Sequence, residues 1–252
     1  MQALSPRVAA QLRHMVETQI APLGVRLPAL YDALQAVPRA AFLPEPLAAL
    51  GLMDEHVRLT TGSNGTEGAP RWLLRTAALA VMIEMLAPAP TERGLDIGCN
   101  CGYSTALLSL LGESAIGIEE NPELAALAAQ RLEQCEVETA AIIAGAHRAG
   151  HAKSAPYDYV LVNGSCPLVT DEPPPFARQL RPGGRLVCGQ FVRGRAAAVL
   201  YRCIAGAGTT SGSARVQFVP LEERDLPLPP LCGMEGAGRA REQGFAKARG
   251  FA

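Results

Sequence analysis

The chain has 252 residues, of which 48% are hydrophobic and 19% charged, and its formal net charge is -1. This balance describes a globular protein with a substantial core and gives no global field for nucleic acid or an anionic membrane surface. No run approaches the roughly 18 apolar residues of a membrane span, and the first residues lack the apolar core of a signal peptide; the expectation is a cytoplasmic protein.

Residues 4–50 read as short helices. Val8, Leu12, Met15, Val16 and Ile20 recur at helical spacing, and a second helix over Leu27–Val37 is stopped by Pro38. Arg39-Ala40-Ala41-Phe42-Leu43-Pro44 reads as a proline-bounded connector. Thr60 to Gly68 is a polar, glycine-rich loop without periodicity, the kind of segment that often carries function. The spacing of Leu74, Ala78, Val81, Met82 and Met85 predicts one long helix over Arg71–Leu86.

From residue 93 strands alternate with helices: strand 93–98, helix 102–111, strand 115–119, helix 122–134, strands 138–144 and 157–163, helix 173–181 and strand 184–190. Asn121-Pro122-Glu123 supplies an N-cap, a proline in the first turn and an acid at the positive end of the helix dipole. Such alternation predicts an α/β fold, a doubly wound, mostly parallel sheet of the Rossmann-like type with an N-terminal helical cap. Residues 196–203 and 215–220 read as a late strand pair joined by a polar loop. Residues 1–90 are read as the cap and substrate loop, part of the same domain as an α/β core over 91–231, and 232–252 as a disordered tail.

Seven cysteines occur, an odd number with no Cys-x-x-Cys pair, so the expectation is buried free thiols and no metal site.

The most informative segment is Gly94-Leu-Asp-Ile-Gly-Cys-Asn-Cys-Gly-Tyr103. A strand that turns at once into a helix needs residues that tolerate positive φ, and Gly98, Asn100 and Gly102 do. The helix start then presents backbone N–H groups to whatever lies in the turn. Ala115-Ile-Gly-Ile-Glu119 is a second short strand ending in acids, Glu119 and Glu120. An acid there, about 20 residues beyond the turn, is placed to accept hydrogen bonds from ribose hydroxyls. Asp96, two residues before the first glycine, suits a cationic ligand rather than a pyrophosphate. Together these point to an adenosine ligand with a cationic group, for which S-adenosyl-L-methionine is the natural candidate.

Several strings carry a family resemblance. Met15-Val-Glu-Thr-Gln-Ile20, Val37-Pro-Arg-Ala-Ala-Phe-Leu-Pro44, Tyr157-Asp-Tyr-Val-Leu-Val162, Leu180-Arg-Pro-Gly-Gly-Arg-Leu-Val187 and Val216-Gln-Phe-Val-Pro-Leu221 resemble, in order, segments of the protein-L-isoaspartate O-methyltransferase family. The resemblance implies an S-adenosyl-L-methionine-dependent methyltransferase acting on a peptide or small-molecule carboxylate, with no nucleic-acid or membrane partner. A divergent methyltransferase on another acceptor, and a non-catalytic nucleoside-binding protein of the same fold, remain open beside it.

Three departures stand out. The family's Thr-Ile-Ser-x-Pro signature, whose serine lies beside the substrate carboxylate, aligns with Trp72-Leu-Leu-Arg-Thr76, so that the serine position becomes Leu74. The glycine-rich loop before it is longer than expected. The family's Gly-Asp-Gly after the third strand becomes Gly145-Ala146-His147, and the acid that helps to hold the cofactor is missing.

The resemblance thus implies cofactor-binding residues at Asp96, Gly98, Asn100, Gly102, Glu119, Glu120, Gly145 and Ala146. Ser63 and Thr66, and with them Asn64, are the candidates to supply the lost hydroxyl or polar contact; solvated loop polarity is the ordinary alternative. Arg71 and Arg75 either pair with an anionic substrate or lie on the surface, Trp72 either stacks on substrate or packs under the loop, and His147 either replaces a polar contact or is an exposed loop histidine.

Overall fold

The computed structural model describes residues 6–59, 70–166, 173–192, 195–210, 213–226 and 228–229. Ser63, Asn64 and Thr66, with the rest of the glycine-rich segment, lie outside the described residues, as do Cys232 and the tail 232–252.

Helix α1 (Pro6–Met15) runs on through a π-helical segment, Val16–Ile20, and a 3-10 turn, Ala21–Leu23. Gly24, at φ 85, ends it in the left-handed conformation that glycine adopts without strain. Helix α2 (Pro28–Ala36) begins on a proline, which lacks only an N–H that the first turn would leave unbonded. The connector over 39–44 contains a single helical turn, α3 (Arg39–Phe42), followed by the 3-10 segment Glu45–Leu52.

Strand β1 (Val57–Arg58) pairs antiparallel with β2 (Trp72–Leu73). The expected helix over 71–86 therefore starts later, as α4 (Thr76–Leu86). The reason is tertiary. The Leu59 N–H donates to Arg71 O at 2.9 Å, and β1 captures the next two residues in its ladder. Asp54 Oδ1 then accepts the Ala77 N–H at 2.8 Å, capping the helix from a distant segment. All of α4 except Glu84 is buried. Apolar residues at 72–74 extend its pattern backwards without being helical.

The rest of the chain builds one sheet from β3 (Arg93–Ile97), β4 (Ser114–Glu119), β5 (Ala140–Ala144), β6 (Tyr157–Ser165), β7 (Leu180–Val192), β8 (Arg195–Thr210) and β9 (Ser213–Asp225). Its order is β5-β4-β3-β6-β7-β8-β9, parallel through β7 and antiparallel beyond. Helix α5 (Tyr103–Leu111) connects β3 to β4, and α6 (Pro122–Gln134) connects β4 to β5. Strands 93–97 and 114–119 are adjacent, as the alternation predicts. The late strand pair is longer than expected and reaches the sheet edge.

The helix expected over 173–181 is only a 3-10 turn, Ala177–Gln179. Three consecutive prolines, Pro173 to Pro175, remove donors and disfavour α geometry in the residues before them. Only a few residues remain before β7 begins at Leu180.

Strand residues alternate between two apolar clusters. Tyr159 and Leu161 join residues of α1, α2, α4 and α5 on one face, whereas Val160 and Val162 join Phe176 and Ala177 on the other. The winding order reverses between the parallel strands β3 and β6: successive strands run outward from β3 to β5, then restart on the other side of β3 with β6. In open α/β sheets the crevice at this switch point, outside the carboxyl ends of the strands, is where ligands bind. No helix among the described residues is long and apolar enough to cross a membrane.

Candidate functional site

The turn from β3 to α5 has the strained geometry that its glycines suggest. Gly98, Asn100 and Gly102 take φ values of 74, 54 and 89. Asn100 is stabilised in this conformation by its own side chain, whose Nδ2 donates to Gly98 O at 2.8 Å and to Trp72 O at 3.2 Å. The Gly98 and Cys99 N–H groups both donate to Ile118 O, at 2.9 and 3.1 Å, which locks the turn onto β4. A Cβ at Gly102 would lie 3.1 Å from the Ala128 Cβ, so glycine here also serves the close approach of α6.

Asp96 is fully buried, and its carboxylate faces inward. Oδ2 accepts the hydroxyls of Ser104 and Thr105, both at 2.7 Å. Oδ1 accepts from Asn163 Nδ2, which also donates to Ser104 Oγ at 3.1 Å. Burial pushes the Asp96 carboxyl up to about 6, against the pull of these three hydrogen bonds and with the Glu119 charge adding to the rise. The acid that suited a ligand's amino group thus clamps β3, α5 and β6 together. Ser104, Thr105 and Asn163 were not among the predicted site residues; nothing in their local sequence marks them.

Glu119, at the end of β4, is fully buried too. Its Oε2 accepts the Asn100 N–H at 3.0 Å and its Oε1 the Asn121 N–H at 2.9 Å. Arg71 Nε lies 3.2 Å from Oε1, and His147 Nε2 lies 3.6 Å from Oε2. Burial alone would raise the carboxyl, but contact with His147, the Asn121 N–H and Arg71 outweigh it and hold it below the usual glutamate range. Glu120 is partly exposed; its Oε2 pairs with Arg71 Nη2 at 3.5 Å, and its Oε1 accepts the His147 N–H at 2.8 Å. Gly145 N–H donates to Glu119 O at 2.9 Å, and a Cβ on Gly145 would meet nothing within 4 Å, while Ala146 is exposed. The ends of β3, β4 and β5 thus bring Gly98, Asn100, Glu119, Glu120, Gly145 and Ala146 into one region, with Gly102 at the start of α5.

Two expectations are corrected. His147 is fully buried against Glu119 and Glu120, not an exposed loop histidine, because the turn after β5 folds its ring beneath the end of β4. Arg71 is buried and ion-paired rather than on the surface. Arg75 is half-buried and pairs with Asp54 Oδ2 at 3.1 Å, while its N–H donates to His56 Nδ1 at 3.2 Å.

Leu74 is buried, and its carbonyl accepts from Arg39 Nη2 at 3.0 Å. The same guanidinium donates to Met53 O at 2.9 Å and Glu55 O at 2.8 Å. Arg39, from the Val-Pro-Arg connector, therefore ties the strand region on both sides of the glycine-rich segment. The thiols beside the turn are poor nucleophiles: burial pushes Cys101 up to about 12 and raises Cys99 well above the ordinary thiol range.

A family model of the protein-L-isoaspartate (D-aspartate) O-methyltransferases matches residues 10–226. The chain belongs to this family. A Methylorubrum extorquens protein-L-isoaspartate O-methyltransferase is 35% identical over 181 residues, covering 72% of this chain and 74% of its own. A Picosynechococcus protein-L-isoaspartate O-methyltransferase is 34% identical over 217 residues, covering 86% and 92%. Among solved structures, a protein-L-isoaspartate O-methyltransferase superposes with a TM-score of 0.64 at 19% identity, covering 90% of this chain and 67% of that one. A Plasmodium falciparum chain assigned the same activity, solved in complex with S-adenosyl-L-homocysteine, superposes with a TM-score of 0.60 at 15% identity over 90% and 98%. These likenesses identify the sheet and its flanking helices as the S-adenosylmethionine-dependent methyltransferase fold. Membership of the isoaspartate O-methyltransferase family makes the protein an S-adenosyl-L-methionine-dependent O-methyltransferase.

Proposed function

We propose that the protein methylates a peptide carboxylate of the isoaspartyl type and that it seats the nucleoside at the carboxyl ends of β3, β4 and β5. The observation that carries this reading is Glu119: a buried, ionised carboxylate at the end of the second core strand, beside a turn with three positive-φ residues. The residues present fit the cofactor. Glu119 is the ribose acceptor, Gly98 and Gly102 keep the turn free of side chains, and Gly145 leaves open space beside the end of β4.

S-adenosyl-L-methionine supplies an electrophilic methyl group on a sulfonium. A carboxylate acceptor is already a nucleophile, so no residue of the chain needs to remove a proton. The protein's task is alignment and the exclusion of water. Asp96 contributes by fixing the turn through Ser104, Thr105 and Asn163. We read Ser63 and Thr66 as the side chains that contact the acceptor in place of the family's serine, because position 74 is a core leucine.

The experiment is transfer of labelled methyl from the cofactor to an isoaspartyl peptide, with the aspartyl isomer as control. The expected result is transfer to the isoaspartyl peptide alone, slower than in family members that keep the serine. Equal labelling of both peptides, or of neither while S-adenosyl-L-homocysteine still binds, would assign the enzyme another acceptor.

A further inference from the structure

Glu119 cannot accept two further hydrogen bonds as it stands. A carboxylate offers about four lone-pair positions. Here the Asn100 N–H addresses Oε2 at 3.0 Å, and the Asn121 N–H and Arg71 Nε address Oε1 at 2.9 and 3.2 Å, while His147 Nε2, 3.6 Å from Oε2, accepts the Glu120 N–H at 3.3 Å and takes no position; one position is left. Two ribose hydroxyls can be accepted only when a present partner withdraws.

Two of the three are held in place. The Asn100 N–H belongs to the strained turn. The Asn121 N–H belongs to the N-cap of α6, where Asn121 Oδ1 accepts from Glu123 and Leu124, both at 3.0 Å. Of the three, only Arg71 has another carboxylate to fall back on, Glu120 Oε2 at 3.5 Å, on a side chain that is 23% exposed. It also stands one residue before Trp72, where the chain aligns with the family's acceptor-side signature and where the backbone carbonyl accepts from Asn100 of the glycine turn.

We propose that Arg71 is the specificity-determining residue for the acceptor's carboxylate: the ribose hydroxyls take its place on Glu119, and the guanidinium, retained by Glu120, turns to the carboxylate of the methyl acceptor. This rests on Glu119 being the ribose acceptor. Arginine is the right side chain for the task, because its planar fork matches a carboxylate and its charge is permanent. A fork that engages one edge of the carboxylate leaves a lone pair on each oxygen for the transfer. The arrangement adds a charged donor to the Ser63 and Thr66 hydroxyls, since Leu74 offers none. It makes binding ordered, with the cofactor first and the acceptor second. Glu119 tolerates the exchange electrostatically: Arg71 contributes least among the groups that favour its charge, behind both His147 contacts and the Asn121 N–H.

The test is calorimetry on the full chain with Arg71→Gln and Arg71→Lys. S-adenosyl-L-homocysteine is titrated into each protein, and an isoaspartyl peptide is titrated with and without saturating S-adenosyl-L-homocysteine. In the unmodified protein the peptide is expected to bind about tenfold more tightly once the nucleoside is bound, a typical coupling between sites. Arg71→Gln is expected to bind S-adenosyl-L-homocysteine several-fold more tightly, because the competitor is gone, and to lose the peptide enhancement. Arg71→Lys keeps the charge without the fork, so its enhancement falls between the two; it also decides the matter if the glutamine variant unfolds. Nucleoside affinity that is unchanged or weaker in Arg71→Gln, enhancement that survives in it, or no enhancement in the unmodified protein would overturn the proposal. Failure of the underlying reading looks different: Glu119→Gln would then leave nucleoside affinity unchanged.

Discussion

Replacing Glu119 with glutamine asks most directly whether the buried carboxylate does the work assigned to it. Glutamine keeps the shape but turns one acceptor oxygen into a donor. Oε1 faces the Asn121 N–H and Arg71 Nε, and Oε2 faces the Asn100 N–H and His147. Either orientation of the amide presses its NH2 against a backbone N–H. One hydrogen bond to a charged acceptor is lost, worth about 1.5–3 kcal/mol, and a donor is left buried without an acceptor. Because Glu119 is fully buried, bulk solvent does not soften this loss. The variant should therefore unfold at about 3 kcal/mol less than the parent and bind S-adenosyl-L-homocysteine about 10- to 150-fold more weakly, at about 1.4 kcal/mol per tenfold. Urea denaturation fixes the folded fraction, and calorimetric titration of the folded protein gives the affinity. Affinity within twofold of the parent would refute the placement of the ribose on Glu119. The acid side has a definite sign. The folded-state carboxyl is depressed, so its contribution is present above the unfolded value and is lost as pH falls through the lower folded value.

Asp96 has the opposite sign. Its carboxyl rises from 3.8 to about 6, so its favourable contribution is complete below the unfolded value and is lost as pH climbs through the folded one. The unfolding free energy of the parent minus that of Asp96→Asn should fall by about 2–3 kcal/mol between pH 3.5 and 7, at about 1.36 kcal/mol per unit; a difference that stays flat or rises would sink the assignment. Leu74→Ser restores the family's residue type, yet Leu74 is a core side chain. We expect it to destabilise by about 3–5 kcal/mol without raising isoaspartyl turnover, as measured by denaturation and methyl transfer together. Arg39→Lys cannot reach Met53 O, Glu55 O and Leu74 O at once. A loss of about 3–6 kcal/mol is expected in urea titration, from two unmade bonds to a charged donor at about 1.5–3 kcal/mol each.

The glycine turn and its βαβ unit were legible because their demands are local. Positive φ at 98, 100 and 102 restricts the residue types there, and a short strand that ends in an acid announces itself within a few residues. The partners of the two acids were not legible. Arg71 meets Glu119, Asn163 meets Asp96, and His147 folds under Glu120 only because the sheet order brings distant strand ends together. The start of α4 was misread for a related reason. Apolar spacing cannot distinguish a helix buried on nearly every side from a short strand that leads into it, and the deciding groups, Asp54 and β1, lie on the far side of the glycine-rich segment. At 173–181 the apolar residues suggested a helix that three prolines forbid.

The base beneath residues 60–69 has an evolutionary consequence. The two ends of that stretch are fastened by the Val57–Leu73 and Arg58–Trp72 pairs, the Leu59-to-Arg71 bond, and the side chains of Asp54 and His56 on the backbone at Ala77 and Arg75. The entropic cost of closing a chain segment between fixed ends grows only logarithmically with its length, by about 0.6 kcal/mol for a doubling. That is less than one of the hydrogen bonds below it, at about 1 kcal/mol. The stretch can therefore behave as an exchangeable cassette. Insertions and composition changes there can retune which carboxylate is accepted at almost constant stability, while the nucleoside seat, built from the strand ends, is inherited intact.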